Sequence, residues 1–474
     1  MPAGQNEMLS KSARTLPPRA SRIPLQIFGP LLAVIVVVFL IAPRGSPLLL
    51  CLMAVPAILL IDRSWLQALR PDPLSLTLLG FGGYLLINSA WAASPAIAYS
   101  KVLLYGTLLI LTYAAMAWIR QASPETRARM AIGMLLGFAL GGIFLFIEIL
   151  SHQSIQRAIF NYLPALRPAG KNLTIHNDVV VAIRYDWLNR NIAALNIVLW
   201  PALLLMTTRL NRKIAIPLCI VVTVAVAITT LGSFHESSKV AIVLALLAWT
   251  MSRLAPAWAR RMVAGAWILT TIFIVPLVLL LFQQDMHHSR WLPETAKQRV
   301  ILWRVTAGKT LDAPILGAGI RTTKVNLMAI KKKPVLPQGY VYPWRTGRHA
   351  HNVYLQTWYE LGAVGAAFLL AIGLLILRAI GELPRPAQAF ALAAFSTAAA
   401  IVAFSWGMWQ AWFLSSFCLL AVLMFLAVKV ASDDHWRDRE NCASDEPVAG
   451  PAGPSAGPSA ERANQRAAAS AGRE

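Results

Sequence analysis

Charged side chains are scarce in this chain of 474 residues and make up only 14% of it. A soluble globular protein carries about 25%, whereas 57% of these residues are hydrophobic and the mean hydropathy is +0.58. This balance excludes a soluble enzyme, a fibrous protein and a disordered scaffold. The apolar stretches are continuous rather than alternating, which excludes a transmembrane β-barrel. The composition therefore predicts an all-α polytopic membrane protein.

Acidic residues and cysteines are also few. The 21 Asp and Glu residues stand against 43 Lys and Arg residues, which gives a formal net charge of +22. In a membrane protein this excess indicates anionic lipid head groups, phosphorylated substrates and control of topology, and we expect no nucleic acid partner. Outward-facing acidic residues are sparse, so we expect neither a metal nor a cofactor. The four scattered cysteines offer no metal-ligand spacing and no disulfide framework.

Twelve apolar runs approach the roughly 20 residues that a transmembrane helix needs. The first run follows four basic residues without a small-residue cleavage site, so we expect a retained span rather than a signal peptide. The twelve predicted spans cover residues 25–42, 46–61, 73–91, 100–119, 130–150, 191–208, 214–232, 239–253, 262–282, 352–377, 386–405 and 408–429.

The basic residues of the short loops predict the orientation. Thirteen of them lie in five loops on one side, against three on the other side, and the positive-inside rule then makes both termini cytoplasmic. The two long loops face outward, where long loops cross largely regardless of charge. The predicted organisation is a disordered cytoplasmic segment 1–24, helices 1–9 over 25–282 with a periplasmic loop at 151–190, a large periplasmic loop 283–351 containing short helices, helices 10–12 over 352–430, and a disordered cytoplasmic tail 431–474.

Three predicted helices begin at the outward side with capping residues beside a cation. They start at Asn189-Arg190-Asn191, at Ser237-Ser238-Lys239 and at Arg348-His349-Ala350-His351-Asn352. Helix N-termini present free N–H groups and a partial positive charge, and a neighbouring cation adds charge-assisted bonds to phosphate. If the three ends converge, they form a pyrophosphate site. The alternative is that each is an ordinary capped helix with a snorkelling cation.

His351 is the candidate general base, because histidine can accept a proton near neutral pH. A lone histidine at a membrane boundary is more often an interfacial hydrogen-bonding group, but His349 and Asn352 accompany this one. His176 and His235 are auxiliary candidates. We interpret the pair His287-His288 as solvated.

Residues 297–304 are predicted to form a helix along the membrane interface. Its apolar face is expected to carry Val300, Trp303, Ala307 and Leu311, and its cations Arg299, Arg304 and Lys309 to reach head groups. A simple loop anchor and a substrate contact remain equal interpretations of this segment.

His351-Asn352 is followed, after nine residues, by Gly362-Ala363-Val364-Gly365. This spacing resembles the His-Asn…Gly-x-x-Gly signature of O-antigen ligases. Arg299-x-x-x-Trp303 and Pro314-Ile-Leu-Gly317-Ala-Gly319 resemble the segment that precedes it in the wider O-antigen ligase and polymerase superfamily. Asn189-Arg190-Asn191 resembles a helix start of that superfamily. One departure is Ser238-Lys239 in place of Ser-Arg, and lysine keeps the charge but loses the bidentate fork.

The resemblance implies a metal-independent membrane glycosyltransferase with a GT-C-like fold in lipopolysaccharide biosynthesis. It implies transfer of O-antigen from undecaprenyl pyrophosphate to the lipid A–core oligosaccharide on the periplasmic side of the bacterial inner membrane. In the mechanism we hypothesise, His351 deprotonates the acceptor hydroxyl and the anomeric centre inverts. The residues expected at the donor pyrophosphate are Arg190, Asn191, Lys239, Arg299 and Asn352, and those expected at the acceptor are Arg321, Lys324, Arg345, Arg348 and His349.

Two other functions stay open at this stage. A polymerase of the same superfamily would share the donor site and differ in the acceptor. A lipid or polysaccharide transporter is the more distant alternative, because transporters keep polar groups near the bilayer midplane. Here Glu148 is one of few acidic residues near a span, and polar groups gather at one surface.

Overall fold

The computed structural model describes residues 27–60, 72–168, 172–329 and 349–444, and these residues are almost entirely helical, which confirms the predicted all-α class. The elements are α1 (Phe28–Ile41), α2 (Ser46–Leu60), α3 (Pro73–Asn88), α4 (Pro95–Gln121), α5 (Pro124–Leu150), α6 (Ser154–Tyr162), β1 (Leu173–His176), β2 (Val179–Ile183), α7 (Asn189–Arg209), α8 (Arg212–Leu231), α9 (Glu236–Leu254), α10 (Pro256–Gln283), α11 (Glu294–Thr310), α12 (Thr322–Ala329), α13 (Val353–Gly381), α14 (Arg385–Phe404) and α15 (Ala411–Ser444).

Ten of the described helices are long and apolar enough to cross a membrane, namely α3–α5, α7–α10 and α13–α15. The first two predicted spans are helices as well, but α1 has 14 residues and α2 has 15. At about 1.5 Å per residue, neither reaches the roughly 30 Å of a hydrocarbon core. The chain is therefore a multi-pass helical membrane protein with two shorter apolar helices at its start.

Helix α7 occupies the centre of the bundle, and 89% of its apolar window is buried. Its sequence is apolar on all sides, as expected for a helix surrounded by others. It packs against α1, α5, α8, α9 and α14. A buried hydrogen bond of 2.7 Å from Trp200 Nε1 to Thr397 Oγ1 joins it to α14. The N-terminal end of α7, where Arg190 lies, is consequently held among several other helix ends.

The two long loops are structured. Residues 151–190 form α6 and an antiparallel hairpin of β1 and β2, with an irregularity between Thr174 and Ile175. The loop from 283 onward contains α11 and α12, as predicted, and residues 330–348 lie outside the described part of the chain.

Residues 297–304 lie within α11, so the predicted helix is confirmed. Val300, Trp303 and Ala307 are buried as expected. Leu311 is 63% exposed, and its placement on the buried face was wrong because the helix ends at Thr310.

The long helix α13 is interrupted at Gly362, whose φ of 64° and ψ of −162° are not helical. The break frees backbone groups, and the segment before α12 pairs with them. Ala363 N–H donates to Pro314 O at 2.8 Å, and Gly319 N–H donates to Glu360 O at 2.9 Å. The two glycine-bearing segments of the sequence signature are therefore two sides of one backbone contact, which positions α12 beside α13.

Helix α15 continues to Ser444, beyond residue 431 where the sequence predicts the tail to begin. The predicted disordered segment 1–24 and residues 445–474 lie outside the described residues. Every element discussed below belongs to the compact unit that ends at Ser432.

Candidate active site

The turn before α13 is fixed from two sides. Asn352 caps the helix, since its Oδ1 accepts a hydrogen bond of 2.9 Å from Leu355 N. On the other side, Trp303 Nε1 donates to Ala350 O at 2.8 Å in a buried contact from α11. His351 lies between these two anchors with a φ of 53°, in the left-handed region. Such conformations persist only where the surroundings determine them, and they are enriched at functional sites.

The imidazole of His351 has a defined tautomer. Its Nδ1 lies 2.6 Å from the carbonyl oxygen of Ser405, at the end of α14. A carbonyl can only accept, so Nδ1 carries the proton and donates. In the neutral ring the lone pair is then on Nε2, which is the atom that can act as a base.

Ser405 also contacts His235, the residue that precedes α9. His235 Nε2 lies 3.3 Å from Ser405 Oγ, and its Nδ1 lies 2.7 Å from Ser238 Oγ. Burial, followed by the nearby charges of Arg299 and Arg190, lowers the pKa of His235 to about 3. His235 is therefore neutral near pH 7 and serves as a hydrogen-bonding group between α9 and α14.

Arg190, at the start of α7, reaches the same loop. Its guanidinium carbon lies 6.0 Å from the ring centre of Trp406 and 5.5 Å from that of Trp412. Trp406 also contacts His235, whose ring stacks on the indole with ring centres 4.8 Å apart. The cation–π geometry holds the guanidinium without consuming its N–H groups. Within the described residues, Arg190 Nε is buried without a hydrogen-bond partner.

Lys239 and Arg299 both interact with the carboxylate of Glu236, the residue after His235. Lys239 Nζ pairs with Glu236 Oε1 at 2.9 Å. Burial lowers the pKa of the Arg299 guanidinium, and the negative charge of Glu236 opposes that shift. The structure thus gathers the starts of α7, α9 and α13, together with Arg299 of α11, around residues 405–412. The pyrophosphate prediction requires such a convergence of helix starts, and binding of a pyrophosphate there stays a prediction.

Two predicted donor contacts have local partners instead. Asn191 is 5% exposed, and its amide nitrogen donates to both Leu40 O and Ile41 O at 2.7 Å. Asn352 is 1% exposed, and its side-chain oxygen is used by the cap described above. Asn191 therefore holds α7 against α1 and Asn352 begins α13, and neither is part of the site proposed below.

A cavity of about 390 Å³ opens on the other side of the same loop. It collects three of the predicted acceptor residues, and it adds Lys101 of α4, which the sequence analysis missed. Arg345 and Arg348 lie outside the described residues. The lining consists of Lys101, Arg321, Lys324, His349, Gln356, Gly407, Trp409, Gln410 and Ala411.

A buried carboxylate lies beneath this cavity. Glu360 is fully buried and accepts hydrogen bonds from Thr323 N at 3.1 Å, from Gln356 Nε2 at 3.2 Å and from Trp409 Nε1. Burial lowers the pKa of Arg321, and attraction to Glu360 opposes that shift. The carboxylate thereby orders the cavity wall from below while the cations face the opening.

The cavity and the histidine are adjacent. The ring centres of His349, which lines the cavity, and His351 are 4.1 Å apart. A Cβ atom on Gly407 would lie 2.6 Å from the Cβ atom of His349. Glycine at position 407 therefore lets the loop approach His349 this closely, because any side chain there would overlap with His349.

The residues that the sequence analysis missed belong to the 405–412 loop and to α4. Ser405 and Trp406 lie within an otherwise apolar stretch, where SWGMWQAW interrupts the run with three tryptophans and one glutamine. That local cluster was the available signal, since Tyr and Trp favour places where an apolar body meets a polar partner. Lys101 carried no such signal.

Three other groups lie elsewhere. His176 is exposed in β1. His287 is 2% exposed and stacks on Phe282 with ring centres 4.3 Å apart, so its interpretation as solvated was wrong, because an aromatic neighbour covers it. Glu148 accepts from Ile155 N at 2.8 Å and so caps α6.

Comparison with known proteins bears on this arrangement. Residues 221–370 match a family model described as O-antigen ligase, a range that includes α9, α11 and His351. A Rickettsia conorii protein provisionally named a polysaccharide ligase is 25% identical over 246 residues, or 51% of this chain. The alignment spans 58% of the length of that relative. A Rickettsia bellii protein of the same provisional name is 23% identical over 309 residues, covering 64% of this chain and 69% of its own length. The resemblance to O-antigen ligases is thereby confirmed.

Proposed function

We propose that this chain, whose residues 221–370 belong to the O-antigen ligase family, transfers a glycan from undecaprenyl pyrophosphate to the lipid A–core oligosaccharide. The observation that carries the proposal is the double contact of one loop residue. Ser405 binds His351 through its carbonyl oxygen and His235 through its hydroxyl. The candidate base and the helix start that carries Lys239 therefore share one support, and Arg190 contacts the next residue of the same loop, Trp406.

His351 acts as the general base in this proposal. Its Nε2 lone pair takes the proton of an acceptor hydroxyl while the oxygen attacks the anomeric carbon of the donor. The bond from that carbon to the pyrophosphate oxygen breaks, and undecaprenyl pyrophosphate leaves with the electron pair. One displacement of this kind inverts the anomeric centre. Loss of a positioned base typically slows a reaction about 10²–10⁴-fold.

The leaving pyrophosphate is stabilised by Arg190, Lys239 and Arg299 and by the N-terminal N–H groups of the converging helices. Preorganised donors of this kind stabilise charge that develops in the transition state and need little reorganisation. Lys239 supplies a point charge rather than a planar clamp. The charge bias of the short loops supports a location of this site on the periplasmic side of the inner membrane.

A reconstituted transfer assay tests the proposal. Purified protein in nanodiscs is given lipid-linked glycan alone, lipid A–core alone, or both. Ligation appears only with both substrates, is lost in His351→Ala, and is retained in His176→Ala, whose imidazole lies in the exposed hairpin. Elongation of the donor without acceptor would instead identify a polymerase. Movement of unmodified lipid-linked glycan across the bilayer would identify a transporter.

A further inference from the structure

The cavity beside His349 has the charge of an anion site. Its described lining contains Lys101, Arg321 and Lys324 and no acidic side chain. These cations come from three separate segments, so their proximity is produced by the fold and not by a local run. Like charges gathered around an opening repel one another, and the buried Glu360 carboxylate offsets part of that repulsion through its attraction to Arg321. Arg321 Nε is buried and has no hydrogen-bond partner among the described residues.

This cavity is separate from the proposed pyrophosphate site. Ser405 and Trp406 face His235 and Arg190, whereas Gly407, Trp409 and Gln410 line the cavity. Consecutive residues of one loop thus lie between two cationic regions, the proposed pyrophosphate site around Arg190 and the cavity around Lys101. His351, the proposed base, lies between the two regions. It contacts Ser405, and its ring centre is 4.1 Å from that of His349, which lines the cavity.

The position limits what the anion can be. A volume of about 390 Å³ is at the small end of the range of about 300–1,000 Å³ for small-ligand pockets. It accommodates a sugar with its substituents rather than a long chain. A group bound there lies about one sugar residue from a hydroxyl that His351 deprotonates. Gln410 also lines the cavity and adds a polar side chain to it.

We propose that the cavity binds an acidic substituent, a phosphate or a carboxylate, carried by the acceptor sugar itself or by its immediate neighbour, and that Lys101 is part of this specificity site. The inference rests on the proposed transfer function. It goes further by locating the acceptor's negative charge within one sugar of the reacting hydroxyl. The donor then occupies the Arg190 side of the loop and the acceptor the Lys101 side.

The test measures acceptor KM with two acceptors, a phosphorylated lipid A–core and the same molecule treated with phosphatase on its core sugars. With the intact protein we expect dephosphorylation to raise KM about ten- to hundredfold, the size of a lost charge-assisted contact. Lys101→Ala should raise KM for the phosphorylated acceptor by a similar factor and leave KM for the dephosphorylated one unchanged. Lys101→Arg should restore most of the difference, since it keeps the charge.

The matched control is Arg290→Ala, which removes an exposed cation from the loop before α11 and should change neither KM. Equal effects of Lys101→Ala on both acceptors, or an effect no larger than that of the control, would overturn the assignment. A binding arm keeps it distinct from the transfer function. In thermal-shift titrations, mannose 6-phosphate or glucuronate should stabilise the intact protein more than mannose does, and Lys101→Ala should abolish that difference. Binding without any transfer would reject the proposed function alone, and absence of the difference would reject the inference.

Discussion

Gly362 lies so close to Gly317 that a Cβ atom on Gly362 would stand 2.5 Å from the Gly317 nitrogen, and closer still to Ile315 O. The two glycines are 45 residues apart in the chain, yet they form one contact. Both have positive φ, 64° for Gly362 and 70° for Gly317. The spacing of the signature therefore records a tertiary contact that places α12 and its neighbouring cations beside α13.

Gly362→Ala should destabilise the protein by about 2–3 kcal/mol, because its backbone conformation is accessible essentially only to glycine and the contacting atoms are backbone. Thermal unfolding in detergent measures the change. Gly83→Ala is the control, since its added methyl group meets no atom within 4 Å. Equal midpoints for the two variants would contradict the argument.

His235 should make the protein sensitive to acid. Its pKa is lowered to about 3 in the folded state by burial and by Arg299 and Arg190, whereas an unfolded histidine titrates near 6.5. Between about pH 3 and pH 6.5, therefore, this histidine is protonated in the unfolded state and neutral in the folded state. Stability from this group is fully present above about pH 6.5 and falls by about 1.4 kcal/mol per pH unit as the pH drops toward 3.

The variant His235→Gln should flatten that dependence, at a cost in stability near pH 7. Midpoints of thermal unfolding between pH 7 and pH 4 measure the slope. His176→Gln, a change in an exposed strand residue, should leave the slope as it is in the intact protein. A slope in His235→Gln that matches the intact protein would assign the acid sensitivity to other groups.

The helical segments could be predicted from sequence because each depends on local information. Apolar run length locates the spans, and the period of Val300, Trp303 and Ala307 locates α11. The bounds of α1 and α2 agree with the predicted runs 25–42 and 46–61 to within three residues, because those runs were already shorter than a full span. The hairpin of β1 and β2 was missed, although β-branched residues flank Asn177 and Asp178, which form its turn with positive φ.

The site was predictable where its residues share a local context. Arg190, Lys239 and His351 stand beside polar residues at helix starts, and the fold brings their helix ends together. The prediction that these polar residues cap their helices is confirmed for Asn352 and was wrong for α7 and α9, which begin without a side-chain cap. Asn191 and Asn352 stand in the same local context, but their side chains form hydrogen bonds within the protein. Asn191 donates to Leu40 O and Ile41 O, and Asn352 accepts from Leu355 N. The sequence alone does not reveal these partners. Lys101 had no local signal at all, because its role depends on Arg321, 220 residues later in the chain.

Arg190 should contribute strongly to transfer. Arg190→Ala removes a cation that Trp406 and Trp412 orient, and we expect kcat to fall about 10²–10³-fold, as for loss of one preorganised donor at a developing charge. Arg190→Lys should recover part of that loss, since it keeps the charge without the planar stacking group. The control Arg184→Ala removes a cation six residues earlier that pairs with Asp186, and it should leave kcat within twofold. Comparable losses of kcat in both variants would attribute the effect to the overall positive charge of this region instead of a specific contact of Arg190.

Trp303 should act as a positioning residue for His351. Its indole N–H holds the Ala350 carbonyl at 2.8 Å in a buried contact, so Trp303→Phe frees the turn from α11 while keeping most of the aromatic packing. We expect kcat to drop at least tenfold, because a base displaced by about 1 Å loses much of its effect, while donor KM stays nearly constant. Trp291→Phe is the matched control, as that indole is 74% exposed. Steady-state kinetics on variants of matched stability distinguish a loss of kcat from a rise in donor KM. A rise in donor KM with kcat intact would place Trp303 at the donor instead of behind the base.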